Sequence, residues 1–157
     1  MKISEILTQE FIISDMQSDS KDAAITELLN LFKDDARVKD MELVQNAVFE
    51  RESIMSTGVG KGFAIPHAKT NAINDIIVAF GKLKEPIDFK SLDEQPVSFI
   101  FLLVGKESHV GPHIKLLSRI SRMMNKDEFR DSLLSASTSE DIYNIFVEEE
   151  KNYLEIN

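Results

Sequence analysis

Two short apolar segments constrain the fold of this chain more than any other feature. They are Ile76-Ile77-Val78-Ala79-Phe80 and Val97-Ser98-Phe99-Ile100-Phe101-Leu102-Leu103-Val104. Each is continuous, contains β-branched and aromatic residues, and is bounded by turns, which is typical of a strand buried on both faces. We therefore expect both to be central strands of a sheet. A shorter run, Phe11-Ile12-Ile13, predicts a further strand.

Helical patterns lie on both sides of these strands along the chain. Ser20 is a candidate N-cap for a helix with a core-facing stripe at Ile25, Leu28, Leu29 and Phe32. Asp40 is a candidate N-cap for a second helix, which we expect to run to about Arg51. Three more helices are predicted from Pro112 to about Asn125, from Asp127 to about Leu134, and after Ser137/Thr138. The order β-α-α-β-β-α-α-α, which leaves room for extra strands, predicts an α/β fold, a three-layer α/β/α sandwich.

Composition narrows the kinds of partner and compartment. The 157 residues, 43% of them hydrophobic, predict a single domain over residues 1–157. The net charge of −9 opposes binding to nucleic acid. Cysteine is absent, so disulfides and thiolate zinc sites are excluded. Because no signal-like segment and no 18-residue apolar run occurs, we expect a cytoplasmic protein with no direct membrane insertion.

The segment from Thr57 to His67, Thr57-Gly58-Val59-Gly60-Lys61-Gly62-Phe63-Ala64-Ile65-Pro66-His67, carries the clearest functional pattern. Its three glycines permit unusual backbone conformations and a close approach of a partner, and Pro66 restricts the chain beside the imidazole. With Arg51, Lys61 and Lys69 nearby in sequence, the backbone amides of Thr57, Gly58, Gly60 and Gly62 predict a phosphate-binding loop. The spacing matches neither a nucleotide P-loop nor a dinucleotide fingerprint. An exposed apolar rim around Phe63 and Ile65 is also expected.

The other two histidines, His109 and His113, stand four residues apart. That spacing suits two metal ligands on one helical face. However, Pro112 favours a helix start between them, which leaves His109 in a loop and places His113 among free amides of the first turn, a setting suited to an anion. We therefore expect His113 to converge on His67. Farther along this helix, Ile114, Leu117, Ile120 and Met124 are predicted core positions, and Lys115 and Arg119 a solvated face.

At these residues the chain resembles the enzyme IIA domains of the fructose/mannitol class in the bacterial phosphoenolpyruvate-dependent sugar phosphotransferase system. Three blocks carry the resemblance: Arg51-Glu52 with 56–67, Pro86-Ile87-Asp88-Phe89 through Pro96-Val97, and His113-Ile114-Lys115-Leu116-Leu117-Ser118-Arg119-Ile120. It extends over nearly the whole chain. The class includes nitrogen-regulatory IIA proteins.

The resemblance implies a mixed β-sheet and a specific chemistry. By it, His67 takes a phosphoryl group from the carrier protein HPr and passes it to an acceptor, usually a IIB domain of a sugar permease. Arg51 and His113 match residues that stabilise the phosphohistidine, and Nε2 is the nitrogen phosphorylated. No cofactor and no metal is implied.

Several alternatives remain open from the sequence. The protein could feed sugar transport, which we favour, or act in a nitrogen-type regulatory branch on a regulatory target protein. From a different class, it could be a metal-dependent hydrolase using His67, His109 and His113, or an anion-binding module without catalysis.

Overall fold

The computed structural model describes residues 1–156. Over this range the helices are α1 Ile3–Ile6, α2 Lys21–Leu29, α3 Met41–Ile54, α4 Val110–Met124, α5 Asp127–Ser135 and α6 Ser139–Glu150. The strands are β1 Ile12–Met16, β2 Gly58–Gly60, β3 Phe63–Ala64, β4 His67–Lys69, β5 Ile77–Ile87 and β6 Val97–Gly105. Two 3₁₀ turns, Gln9–Phe11 and Asn30–Phe32, precede β1 and follow α2.

The strands form one mixed sheet in the order β1-β5-β6-β3-β2, with β4 also pairing with β6. β5 and β6 are antiparallel, while β1 runs parallel to β5. β3 and β4 both run parallel to β6 and meet successive parts of its length. The mixed sheet implied by the family resemblance is confirmed, and its central strand β6 carries the short strand that contains His67.

Helices cover both faces of the sheet, as two adjacent residues of β5 show. The ring of Phe80 packs against Phe146 of α6, with centroids 5.1 Å apart. A Cβ at Gly81 would instead lie 3.1 Å from the side chain of Leu28 in α2. Because successive strand residues point to opposite faces, α6 and α2 lie on opposite sides of the sheet. The predicted α/β fold with three layers is confirmed.

Three of the predicted helix starts agree with the structure. Ser20, Asp40 and Thr138 each accept a hydrogen bond from the backbone amide three residues ahead, which satisfies a free donor of the first turn. α3 extends to Ile54, three residues beyond the predicted end at Arg51. Phe32 is buried as predicted, but it lies in the 3₁₀ turn after α2.

The sheet has more strands, and a longer β5, than the sequence predicted. The central segment of β6 and the first five residues of β5 are buried, as continuous apolar runs predict. β5 continues seven residues beyond Phe80, where Lys84, Glu85 and Pro86 are exposed and the sequence has no continuous apolar pattern. The glycine-rich segment, expected as a loop, forms the β2–β3 hairpin and then β4. Helix α1 was not predicted.

Helix α4 required three corrections. It begins at Val110, two residues before the predicted start at Pro112. Ile114, predicted in the core, is 59% exposed, because the core-facing side of the helix is formed by His113, Leu116, Ile120 and Met123. Arg119, predicted on a solvated face, is buried, since its guanidinium pairs with the Glu150 carboxylate at 3.2 Å. Lys115 is exposed as predicted.

The helices of residues 1–156 are short. The longest of those described, α4, has 15 residues and so spans about 22 Å. A membrane-crossing helix must span about 30 Å of hydrocarbon with apolar side chains. Within the described chain, no helix has that combination of length and apolar character.

Candidate functional site

A cleft of about 620 Å³ lies between the C-terminal half of α3, strand β4 and the start of α4. Helix α3 contributes four residues at the spacing of one helical face, and the others come from β4, the residue after it, the loop before α4, and α4 itself. The lining residues are Ala47, Glu50, Arg51, Ile54, His67, Ala68, Lys69, Thr70, Glu107, His113, Ile114 and Leu117. The structure thus brings together the predicted residues Arg51, His67 and His113.

Strand β4 fixes the position of His67. His67 is paired with Leu103 of β6, and the amide of Leu103 donates to the carbonyl of Pro66 at 3.0 Å. Since side chains alternate along a strand, His67 and Lys69 share one face while Ala68 is buried on the other. Pro66 has no amide hydrogen, so its place at the start of this short strand costs no sheet hydrogen bond.

The His67 imidazole has a defined tautomer. Its Nδ1 lies 2.8 Å from the carbonyl oxygen of Ile65, an oxygen that can only accept, so Nδ1 carries the proton and donates. The lone pair is then on Nε2. Burial lowers the pKa of His67, the Ile65 hydrogen bond acts in the opposite direction, and the nearby charge of Arg51 lowers it further. Near pH 7 the ring is therefore a neutral nucleophile with its free lone pair on Nε2.

His113 lies in the first turns of α4, with only 4% of its surface exposed. Neither ring nitrogen has a hydrogen-bond partner among residues 1–156. Its ring centroid lies 5.7 Å from that of His67. Burial, and after it the nearby His67 and Lys69 side chains, lowers the pKa of His113 to about 4. A buried polar group without a partner is costly, so this ring is suited to a ligand that accepts its N–H.

Arg51 stands in the last turn of α3, half-exposed at the cleft. Its Nη1 donates to the carbonyl of Met55 at 2.8 Å and so caps the end of the helix. A guanidinium has five N–H donors, which leaves others for a group in the cleft.

The cleft contains charges of both signs. Glu50 and Glu107 line it together with Arg51 and Lys69, and Glu107 accepts a hydrogen bond from Asn71 at 2.8 Å. Neither acid was among the site residues predicted from the sequence. Glu50 could have been predicted from helical spacing, because positions 47, 50, 51 and 54 share one face of a helix and Arg51 was already assigned to the site. No comparable pattern pointed to Glu107.

The four residues predicted as a phosphate loop lie elsewhere. None of Thr57, Gly58, Gly60 and Gly62 lines the cleft. The amide and hydroxyl of Thr57 donate to Glu52, and the glycines form the hairpin beside the segment 89–96. Gly60 and Gly62 have positive φ angles of 140° and 79°, so they serve the tight turn between β2 and β3. Lys61 is exposed and also outside the lining.

His109 is not part of the cleft. It is exposed at the N-cap of α4 and does not line the site. Across residues 1–156, no three His, Asp or Glu side chains are grouped so as to bind a metal ion. The metal-hydrolase alternative, which needed His67, His109 and His113 together, therefore has no ligand set in this region.

The apolar rim of the cleft also differs from the prediction. Phe63 and Ile65 are buried, because they belong to β3 and the segment that packs on β6. The exposed apolar side chains at the cleft are instead Ile54, which is 76% exposed, and Ile114.

Comparison with known proteins gives consistent matches. Residues 5–149 match the family described as phosphoenolpyruvate-dependent sugar phosphotransferase system, EIIA 2. The chain is 35% identical over 151 residues to a fructose-specific EIIABC component of Bacillus subtilis, covering 96% of this chain and 24% of that protein. It thus spans about a quarter of that relative's length. It is 35% identical over 146 residues to a fructose-specific EIIA component of Haloferax volcanii, covering 93% and 95% of the two chains.

A solved structure agrees with these matches. The crystal structure of nitrogen regulatory protein IIA-Ntr from Neisseria meningitidis superposes with a TM-score of 0.86 and 33% identity. The superposition covers 92% of this chain and 98% of the other. Relatives of the sugar-transport and nitrogen-regulatory kinds are therefore about equally similar in sequence.

Proposed function

Because this chain belongs to the EIIA 2 family of the phosphoenolpyruvate-dependent sugar phosphotransferase system, we propose that it is a phosphocarrier, a phosphotransferase component that acts through His67. It takes a phosphoryl group from phospho-HPr and passes it to a IIB domain during fructose- or mannitol-type sugar uptake. The name of the Bacillus subtilis relative, which joins A, B and C parts in one component, supports a IIB acceptor.

The observation that carries this proposal is the hydrogen bond from Nδ1 of His67 to the carbonyl of Ile65. It leaves Nε2 as the reactive nitrogen of a neutral ring. In the transfer, the Nε2 lone pair forms a bond to phosphorus as the bond between phosphorus and the donor imidazole breaks. Return of the same group to an acceptor reverses these roles, because phosphorylated imidazole is a good leaving group.

The other residues of the cleft stabilise charge. Phosphoryl transfer depends mainly on positioning and electrostatic stabilisation of the equatorial oxygens. Arg51 supplies donors beyond the one it gives to Met55. His113, neutral because its pKa is lowered to about 4, supplies one N–H donor to a phosphoryl oxygen. Binding of a phosphoryl oxygen would also satisfy a ring that has no partner among the described residues.

The acids of the cleft favour delivery by a protein. Arg51 and Lys69 attract a free phosphate or nucleotide to the cleft. Glu50 and Glu107 line the same cleft and repel it. A carrier that brings its own positive charges next to the phosphoryl group offsets that repulsion. The exposed side chains of Ile54 and Ile114 provide apolar contact for such a partner.

A second function, that of a nitrogen-type regulatory IIA protein, is supported by the similarity to IIA-Ntr at 33% identity and nearly full coverage. In that case the phosphorylation state of His67 changes the charge of the cleft and thereby the affinity for a regulatory target protein. The chemistry at His67 is the same, and only the recipient of the signal differs.

The first experiment is the intact mass of the protein after incubation with phosphoenolpyruvate, enzyme I and HPr. One acid-labile phosphoryl group should appear in the wild type and be absent from His67→Ala or when HPr is omitted. An unmodified wild type with carriers from more than one source would contradict the proposal. Subsequent transfer to an isolated fructose-type IIB domain separates the sugar-transport function from the regulatory one.

A further inference from the structure

A buried carboxylate lies close enough to His67 to raise the pKa of its ring, yet it does not line the cleft. It belongs to Glu52 in the last turn of α3, which is 6% exposed. Its neighbour in sequence, Arg51, faces the cleft, whereas Glu52 shares the core-facing side of the helix with Val44 and Val48. A buried carboxylate is costly unless it is paired and hydrogen-bonded, so its partners indicate its purpose.

Three donors hold this carboxylate. One oxygen accepts from the amide of Thr57 at 2.8 Å and lies 2.8 Å from the ammonium of Lys21. The other accepts from the hydroxyl of Thr57 at 2.5 Å. The ammonium of Lys21 also lies 4.9 Å from the ring centroid of Phe89. Glu52 therefore fixes both polar groups of Thr57 that can donate.

Thr57 connects this carboxylate to the histidine by two further hydrogen bonds. Its carbonyl oxygen accepts from the amide of Ile65 at 3.2 Å. The carbonyl oxygen of the same Ile65 accepts from Nδ1 of His67 at 2.8 Å. The path thus runs from Glu52 through Thr57 and Ile65 to the bond that determines the tautomer of His67. Hydrogen bonds in such a chain polarise and orient one another.

The turn that carries Thr57 is also fixed from the side of the cleft. Arg51 donates to the carbonyl of Met55, two residues before Thr57. Arg51 and Glu52, which are adjacent in α3, thus hold the two ends of the segment 55–57. Arg51 does so from the cleft and Glu52 from the core. Movement of this segment would disturb Arg51 and the support of His67 together.

We propose that Glu52 is a positioning residue for phosphoryl transfer, which acts through Thr57 and Ile65 to keep Nδ1 of His67 donating inward and Nε2 toward the cleft. This inference rests on the proposed function for its kinetic consequence, but the effect on the tautomer does not depend on it. Its role parallels the general arrangement in which a carboxylate orients a reactive imidazole, here through two residues of backbone instead of direct contact.

The Glu52→Gln variant tests the inference because it preserves shape and changes hydrogen bonding. A glutamine amide presents an NH₂ donor where the carboxylate accepts, so it opposes either Thr57 or Lys21. We expect kcat for phosphorylation by phospho-HPr to fall at least tenfold with KM changed less than twofold. Ring ¹⁵N chemical shifts of unphosphorylated His67 should change from the Nδ1–H tautomer to a mixture. Glu42→Gln, an exposed site with the same charge change in the first turn of α3, is the matched control.

A pair of variants at Thr57 tests the same path with a smaller perturbation. Thr57→Val removes the hydroxyl donor and retains the shape and the backbone, whereas Thr57→Ser retains the donor. We expect a threefold or larger loss of kcat and a tautomer change in the valine variant, with the serine variant close to wild type. These variants decide the question if Glu52→Gln fails to fold.

The outcomes separate the two proposals. Folded variants that lose thermal stability while keeping wild-type kcat and the wild-type tautomer would show that Glu52 serves only the fold, and would overturn this inference. A wild type that is never phosphorylated would overturn the proposed function instead, while the ¹⁵N shifts of the variants still report whether Glu52 orients the ring.

Discussion

The imidazole rings of His67 and His113 lie with their centroids 5.7 Å apart and their planes at 55°, although the two residues are 46 positions apart in the chain. One comes from β4 and the other from the first turns of α4. The two rings differ in their surroundings, since Nδ1 of His67 is hydrogen-bonded to Ile65 and neither nitrogen of His113 is bonded to a described residue. The pKa of each ring and the effect of substitutions at neighbouring residues follow from that difference.

The first prediction concerns pH. Because burial lowers the pKa of His113 to about 4 from 6.5, the unfolded chain takes up its proton first as the pH falls. Above pH 6.5 the ring is neutral in both the folded and the unfolded chain, and the free energy of unfolding has its full value. As the pH falls from 6.5 to about 4, protonation of the unfolded chain lowers that free energy, and below about pH 4 the ring is protonated in both states. The free energy of unfolding should fall by about 3 kcal/mol over this range, because each unit of difference between the two pKa values corresponds to about 1.4 kcal/mol. It is measured as the free energy of unfolding by urea, wild type against His113→Gln, from pH 7.5 to 4. A difference that is independent of pH would contradict the burial argument.

The second prediction concerns Gly105, the last residue of β6. A Cβ at this position would lie 2.6 Å from Nδ1 of His113, so Gly105→Ala must displace the ring. We expect at least a tenfold loss of phosphorylation rate and about 1–3 kcal/mol of destabilisation from overpacking. Gly111→Ala is the control on α4, since its Cβ meets nothing within 4 Å and alanine favours a helix. Equal effects of the two substitutions on the rate would refute the packing explanation.

The third prediction concerns Arg51. A guanidinium can hold the Met55 carbonyl and a phosphoryl oxygen at once, whereas the ammonium of Arg51→Lys is a single point donor. We expect the phosphorylation rate to fall tenfold to a hundredfold, with unfolding free energy changed by about 1 kcal/mol or less. Rapid-quench phosphorylation with phospho-HPr measures the first and urea unfolding the second. Arg122→Lys, the same exchange on α4 outside the cleft lining, should transfer at the wild-type rate. An unchanged rate in Arg51→Lys would show that charge alone is sufficient.

The fourth prediction concerns the apolar side chains beside the cleft. Ile54 lies 76% exposed there, so Ile54→Glu adds a charge without disturbing the core. If the carrier protein docks over this residue, the KM for phospho-HPr should rise about tenfold, the loss of roughly 1.4 kcal/mol of contact, with kcat retained. Leu134→Glu, an exposed leucine of α5, is the control and should leave KM unchanged. Steady-state kinetics at several carrier concentrations distinguish the two parameters.

The sequence determined the elements whose cause is local. The apolar runs of β5 and β6 and the caps Ser20, Asp40 and Thr138 were predicted because burial on both faces and the satisfaction of free amides depend on neighbouring residues. Pro66 before His67 and Pro112 before His113 also pointed to two residues that line the cleft. Both signals are local, because a proline restricts the backbone of the turn in which it lies.

Only the tertiary structure decided which groups surround those histidines. Glycines 58, 60 and 62 looked like a phosphate loop, but long-range contacts with the segment 89–96 place them in a hairpin outside the cleft. Glu107 enters the cleft, Ile114 faces away from the core, and Arg119 is buried against Glu150, all because of how α4 lies on the sheet. The orientation of a helix about its axis and the partners of a buried charge are set by packing between segments far apart in the chain. Local periodicity contains no information about either.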